Sequence, residues 1–294
     1  MIKQELLDKI RRISIITSKM VREVFAGQYQ SVFKGRGMEF DAVREYQPGD
    51  EIRSIDWNVT ARTGRLQVKK FIEERELTVM LLLDGSSSCR FGSKRQLKSE
   101  LAAEICSVLA FSAIHNQDKV GLIIFTDKIE KVIPPRKGTN HVLRLVREAI
   151  AFEPQGRGTE LVRALDYFNM ITHRKTVCFL LSDFLIKDYE KTLTIANQRH
   201  DMIAIRIIDP RETELPGVGL ISMDDAETGE QLLVDTSAPF RKDYRERSLQ
   251  RLNQQQRFFN SIGIDNIDVY TDTPYIDSLI KFFKVRERRQ RRGY

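Results

Sequence analysis

Cysteine is scarce and scattered. Cys89, Cys106 and Cys178 are the three present, and no two of them form a Cys-x-x-Cys pair. This leaves neither a disulfide framework of the secreted kind nor a thiolate zinc motif, and it favours a reducing compartment. No run of eighteen apolar residues occurs, so no bilayer-spanning helix is expected. The N-terminus lacks the short apolar core and small-residue cleavage site of a signal peptide. A soluble, cytoplasmic protein is the expectation. Histidine is also sparse: His115, His141, His173 and His200 lie far apart, none beside a second metal ligand in sequence, and no chemistry is assigned to them. Phosphate cradles are missing as well. Gly92-Ser93-Lys94 lacks the spacing and ending of a Walker A loop, and Gly35-x-Gly37 reaches no third glycine.

What is present is a chain of 294 residues, 41% apolar and 30% charged, with a net charge of +7. Such a length can bury a sizeable core. The positive charge is concentrated at one end. From Lys281 to Tyr294 seven basic residues stand against Glu287 alone, which leaves about +1 for the first 280 residues. Basic character thus belongs to the C-terminus and not to a nucleic-acid-binding face of the fold. Nucleic acid is not an expected partner, although binding of nucleic acid or an acidic surface through Arg286–Arg292 remains an alternative to a solvated terminus.

Four segments are expected. Residues 1–27 read as an amphipathic helix, with Ile2, Leu6, Ile10, Ile13, Met20 and Val24 at three- and four-residue steps and Gly27 closing it. It is expected to dock on the rest of the protein, since its apolar face lacks the Trp and Phe favoured at membrane surfaces. Residues 28–75 hold turn signals such as Pro48-Gly49-Asp50 and Thr63-Gly64 between short alternating stretches, which predicts a strand-rich extension. Residues 76–284 alternate apolar strands (Val79–Leu83, Val120–Phe125, Val177–Leu181, Ile203–Ile208) with helical patterns, among them one starting at Ser93, with a hairpin between Val218 and Val234. Residues 285–294 form a basic tail. Strands without alternation, separated by helices, predict an α/β fold: a doubly wound, mainly parallel sheet covered on both faces.

Sheets of this kind bind ligands at the carboxyl ends of their strands, where the strand order reverses. The first strand of the series ends in Asp84-Gly85-Ser86-Ser87-Ser88, another ends in Ser182-Asp183, and Gly158-Thr159 opens a helix between them. Asp84, Ser86, Ser88, Thr159 and Asp183 are therefore the candidate metal ligands. An all-oxygen set suits Mg²⁺, with Mn²⁺ as a substitute. Hydroxyl ligands leave residual charge on the ion, which could then accept a carboxylate from a partner. A Ser-rich loop alone commonly just caps a helix, and an Asp at a strand end commonly just makes a turn. The weight lies in three such loops recurring at the expected places.

Asp84-x-Ser86-x-Ser88, Thr159 and Asp183 in Leu-Leu-Ser-Asp-Phe resemble the metal-ion-dependent adhesion site of von Willebrand factor A domains, and Asp118–Phe125 is similar to that fold's second strand. Gly35-Arg36-Gly37-Met38-Glu39-Phe40, Arg44-Glu45-Tyr46, Pro48-Gly49-Asp50, Arg53-Ser54-Ile55-Asp56-Trp57 and Ala61-Arg62 resemble the signature of domain-of-unknown-function family 58, a bacterial and archaeal family that joins this signature to an A-like domain. Cys89 stands where a methionine often follows the serines. Phe184 stands where a glycine often follows the third-loop aspartate, and is expected to narrow access to the metal.

The resemblance implies a non-enzymatic interaction module. Members are typically encoded beside MoxR-type AAA+ ATPases and Bat-type A-domain proteins, so the implied role is an adaptor for such an ATPase in complex maturation or stress tolerance. The signature from Gly35 to Arg62 is expected to brace the A-like domain through paired charges, with a docking surface for the ATPase as the alternative. A metal-dependent hydrolase is the rival class. It is disfavoured because Ser86 stands where an aspartyl phosphatase would carry a second Asp, and because two carboxylates are few for a two-metal nuclease.

Overall fold

Apolar runs without alternation become strands covered on both faces. The computed structural model describes residues 29, 32–33, 38–73, 77–225 and 229–292. Strands β1 (Met38–Glu45) and β2 (Gln67–Glu73) form a two-stranded antiparallel unit. Then β3 (Thr78–Asp84), β4 (Lys119–Phe125), β5 (Ile129–Arg136), β6 (Val177–Ser182) and β7 (Asp201–Ile208) enter the main sheet. A separate hairpin of β8 (Leu220–Asp224) and β9 (Gln231–Asp235) follows, and β10 (Asp265–Tyr270) returns to the main sheet. The six-stranded order is β10-β7-β6-β3-β4-β5, and every pairing is parallel except β4 with β5. The expected class, a doubly wound and mainly parallel α/β sheet, is the one present.

Side-chain alternation divides the interior into two layers. Val79, Leu81 and Leu83 of β3 face one core, shared with helix α2 (Lys98–His115), α3 (Thr139–Ile150) and α7 (Tyr275–Arg292). Met80 and Leu82 face the other, shared with α4 (Leu161–Ile171), α5 (Glu190–Arg199) and the end of α6 (Ala238–Ser261) at Phe259. The chain leaves β3 for β4 and β5 on one side, then crosses to β6, β7 and β10 on the other. The order therefore reverses at β3, and the loops after β3 and β6 lie at that switch point.

Two expectations need correction. The helix predicted from Ser93 begins at Lys98, where the Leu97 N–H is capped by the Glu100 carboxylate (3.1 Å). Ser93 does other work: its N–H and hydroxyl both donate to Asp209 (2.8 and 2.5 Å), which also accepts from the Thr271 hydroxyl (2.6 Å). A distant carboxylate has outcompeted the local cap. The segment 285–294, expected as a tail, continues α7 to Arg292. Arg286 is tied to Asp201 and to Asp265 (3.0 Å) and lies over the Phe33 ring at 4.8 Å, so part of the basic charge serves internal pairing. Within the extension, α1 (Trp57–Thr63) sits between β1 and β2. The helix expected over residues 1–27 lies outside the described residues.

The extension does carry paired charges. Arg44 grips Asp50 with two bonds (2.6 and 2.7 Å), and Asp56 caps α1 by accepting from the Asn58 and Val59 N–H groups. Its buried Ile55 and Val68 bridge each other and belong to neither main core. Trp57, at the start of α1, is 63% exposed. Among the described residues no helix is long and apolar enough to cross a membrane.

Candidate metal centre

The loop after β3 is built by its own first residue. Asp84 Oδ1 accepts the Ser86 N–H (3.0 Å), which folds the chain back on the strand end. A residue with little bulk is needed at 85, since a Cβ there would stand 2.4 Å from the Phe152 ring. The loop after β6 repeats the device. Asp183 Oδ1 accepts the Leu185 N–H (3.1 Å), and the Ser182 hydroxyl accepts the Phe184 N–H (3.0 Å) while donating to Asp84 Oδ2 (2.6 Å). The two strand ends are thereby locked together.

Four of the five candidate ligands meet in one hydrogen-bonded cluster. Ser88 Oγ donates to Asp183 Oδ2 (2.7 Å), and the Ser86 and Ser88 hydroxyls lie 3.1 Å apart. Asp84, Ser86 and Asp183 are buried, whereas Ser88 and Thr159 are partly exposed and mark the open side. Thr159 stands on the neighbouring loop, two residues past Arg157, whose carbonyl accepts the Ser87 N–H (3.0 Å). Burial, and after it the charge of Asp183, pushes the Asp84 carboxyl up to about 6.

The donor set fits a hard cation. Adjacent corners of an octahedron with bonds of about 2.0–2.1 Å lie about 2.9 Å apart, and the Ser86–Ser88 separation of 3.1 Å is close to that span. Among the described residues no three His, Cys, Asp or Glu side chains gather as a metal group, so the hydroxyls are indispensable to such a site.

Of the two departures from the A-domain pattern, Phe184 turns out differently from expectation. Phe184 does not narrow the site: it is wholly buried in the second core, packed on Phe259 (5.3 Å) and Tyr189 (5.7 Å). Its φ of +53° accounts for the usual glycine, because the left-handed region costs a side chain about 1 kcal/mol or more. Burial of the ring, about 3–5 kcal/mol on truncation of a phenylalanine, outweighs that. Cys89 is buried behind Ser86 (3.9 Å to its Oγ). Burial and then the Asp84 and Asp183 charges push its thiol well above the usual range.

Sequence reasoning missed Lys98. Its ammonium is fully buried, donates to Asp183 Oδ2 (2.7 Å), and also pairs with Glu212 of the short helix Pro210–Glu212. Burial alone would lower its pKa, but Asp183 and Glu212 reverse that and hold the group charged. One signal was available. Lys98 falls in the three- and four-residue register of Leu101, Ala102 and Ile105, all buried, so the helix periodicity places it on the inner stripe. Glu212 arrives from a loop 114 residues away and had no local signal.

Known proteins add the following. The Mycobacterium tuberculosis protein Rv1480 is 29% identical over 283 residues, covering 95% of this chain and 89% of its own. Among solved structures, BatB from Bacteroides thetaiotaomicron is similar at 13% identity and a TM-score of 0.47, covering 72% of this chain and 99% of its own. The SpRpn10 VWA domain is similar at 14% identity and a TM-score of 0.39, covering 70% and 93%. The family described as protein of unknown function DUF58 matches residues 42–254, the greater part of the sequence, and the chain belongs to that family.

Proposed function

We propose that the chain is a non-enzymatic interaction module in which Asp84, Ser86, Ser88, Thr159 and Asp183 hold Mg²⁺, or Mn²⁺ in its place, and present it to a partner protein. The observation that carries this reading is the Ser86–Ser88–Asp183 cluster, which joins two strand-end loops at the switch point of the sheet. Asp84 and Asp183 shape the loops and supply charge. The partly exposed Ser88 and Thr159 define the side from which a partner can approach. When bound, the ion supplies an open coordination position suited to a carboxylate oxygen. No catalytic step is assigned. The partner proposed is a MoxR-type AAA+ ATPase, with roles in complex maturation or stress tolerance. Its support is the family resemblance in the sequence.

Mg²⁺ at about a hundred times its dissociation constant should stabilise the native protein by about 2.7 kcal/mol and leave Asp84→Ala unshifted in a thermal melt. Equal shifts in both proteins, or no shift in either, would remove the metal. Purified MoxR-type ATPase should be retained by the immobilised protein in Mg²⁺ and released by chelator and by Ser88→Ala. Retention indifferent to both would leave the site without this role.

A further inference from the structure

Lys98 brings a positive charge onto an oxygen that a metal would need. Asp183 Oδ2 already accepts two donors, the Ser88 hydroxyl and the Lys98 ammonium, each at 2.7 Å. The ammonium has no solvent to retreat into, since its side chain is fully buried. Among the described residues its second carboxylate partner is Glu212, through Oε1. Glu212 is itself anchored, its second oxygen accepting the Asp209 N–H (3.1 Å), and Asp209 is fixed by Ser93 and Thr271. The lysine therefore stands between a carboxylate of the cluster and a carboxylate of the loop after β7.

We propose that Lys98 is a tethered cation that competes with the divalent ion for Asp183, so that its pairing with Glu212 sets the metal affinity of the site. An ion bound about 2.1 Å from Asp183 Oδ2 would stand within about 5 Å of the ammonium, with little water between to screen the repulsion. An ion would bind by taking Asp183 Oδ2 from the ammonium, which would then rely on its existing pairing with Glu212, and the ion's affinity would be lowered by what that costs. Lys98 is a positioning residue that touches no partner. The inference rests on the metal reading above.

The sign of the effect separates this role from a structural one. Removing a buried cation usually damages a site, whereas removing a competitor improves it. In titration calorimetry with Mn²⁺ or Mg²⁺ alone, Lys98→Met should bind at least tenfold more tightly than the native protein. Lys98→Arg, which keeps the charge, should stay within about threefold. Glu212→Gln, which weakens the alternative partner, should bind more weakly than native. Lys98→Gln serves as the second neutral variant if the methionine protein does not fold. Binding by a neutral variant where the native protein shows none would also support the proposal. Unchanged or weaker binding in a folded neutral variant, with native binding intact, would overturn the competition and leave the metal site standing. Absence of binding in every protein would overturn the metal reading and the competition with it.

Discussion

Arg206→Ala is expected to destabilise the fold by about 3 kcal/mol, the low end of the cost of stripping one partner from a buried ion pair, because the Asp268 carboxylate left behind is 30% exposed and regains water. Arg206 is 2% exposed and spends its whole guanidinium inside the protein. Nε and Nη2 grip Asp268 across the β7–β10 pairing (2.9 and 2.7 Å), while Nη1 donates to the Leu252 carbonyl and the Gln255 side chain of α6 (3.1 and 2.8 Å). One side chain thus fastens the edge strand of the sheet to its neighbour and to a helix. Its loss leaves Asp268 without its cation and removes the donor to the Gln255 side-chain oxygen and the extra donor to the Leu252 carbonyl. The change should appear as a lower midpoint in urea and a melting point lower by about 10 °C, at roughly 2–4 °C per kcal/mol for a domain of this size. A loss below about 1 kcal/mol would show that the network carries little. Arg206→Met combined with Asp268→Leu should recover part of the loss, since apolar replacement of a whole pair is often neutral.

The second large effect is expected at Asp183, in chelator, where metal plays no part. Asp183→Ala should cost about 3 kcal/mol because Lys98 keeps only Glu212 as a counter-charge. Adding Lys98→Met to that background should restore on the order of 1–2 kcal/mol, a coupling that a double-mutant cycle in urea measures directly. Additive losses would mean that the two groups act independently, contrary to their 2.7 Å contact. This structural role is why Ser88→Ala is the better probe of partner capture. Ser88 is partly exposed and its hydroxyl leaves no buried charge behind. An Asp183 variant would lose stability and ligand together.

Much of the fold was legible because its strands are unbroken apolar runs. Val79–Leu83 and Val177–Leu181 admit no amphipathic alternative, and a strand buried on both faces requires helices on both. The candidate ligands were legible for the related reason that strand ends in such sheets are where loops converge. What escaped was decided by distant parts of the chain. Ser93, with Gln96 three residues on, has the spacing of a capping box but is claimed by Asp209, 116 residues on. Phe184 looked like an obstacle at the site because sequence gives its position and not its direction, and its backbone torsion turns the ring into the core. Arg286 read as a tail charge until Asp201, Asp265 and Phe33 were seen around it. Lys98 is the instructive case: periodicity placed it inward, but ordinary expectation for lysine places it in water.

The location of Trp57 has a spectroscopic consequence. It is the single tryptophan of the chain, largely exposed, on the extension and outside both cores of the main sheet. Its emission should already be red-shifted in the folded protein and should change little when the six-stranded unit unfolds. Fluorescence melts would therefore understate the stability losses described for Arg206 and Asp183, which circular dichroism or calorimetry should follow instead. The same property makes Trp57 a low-background optical reporter for any partner that covers the extension.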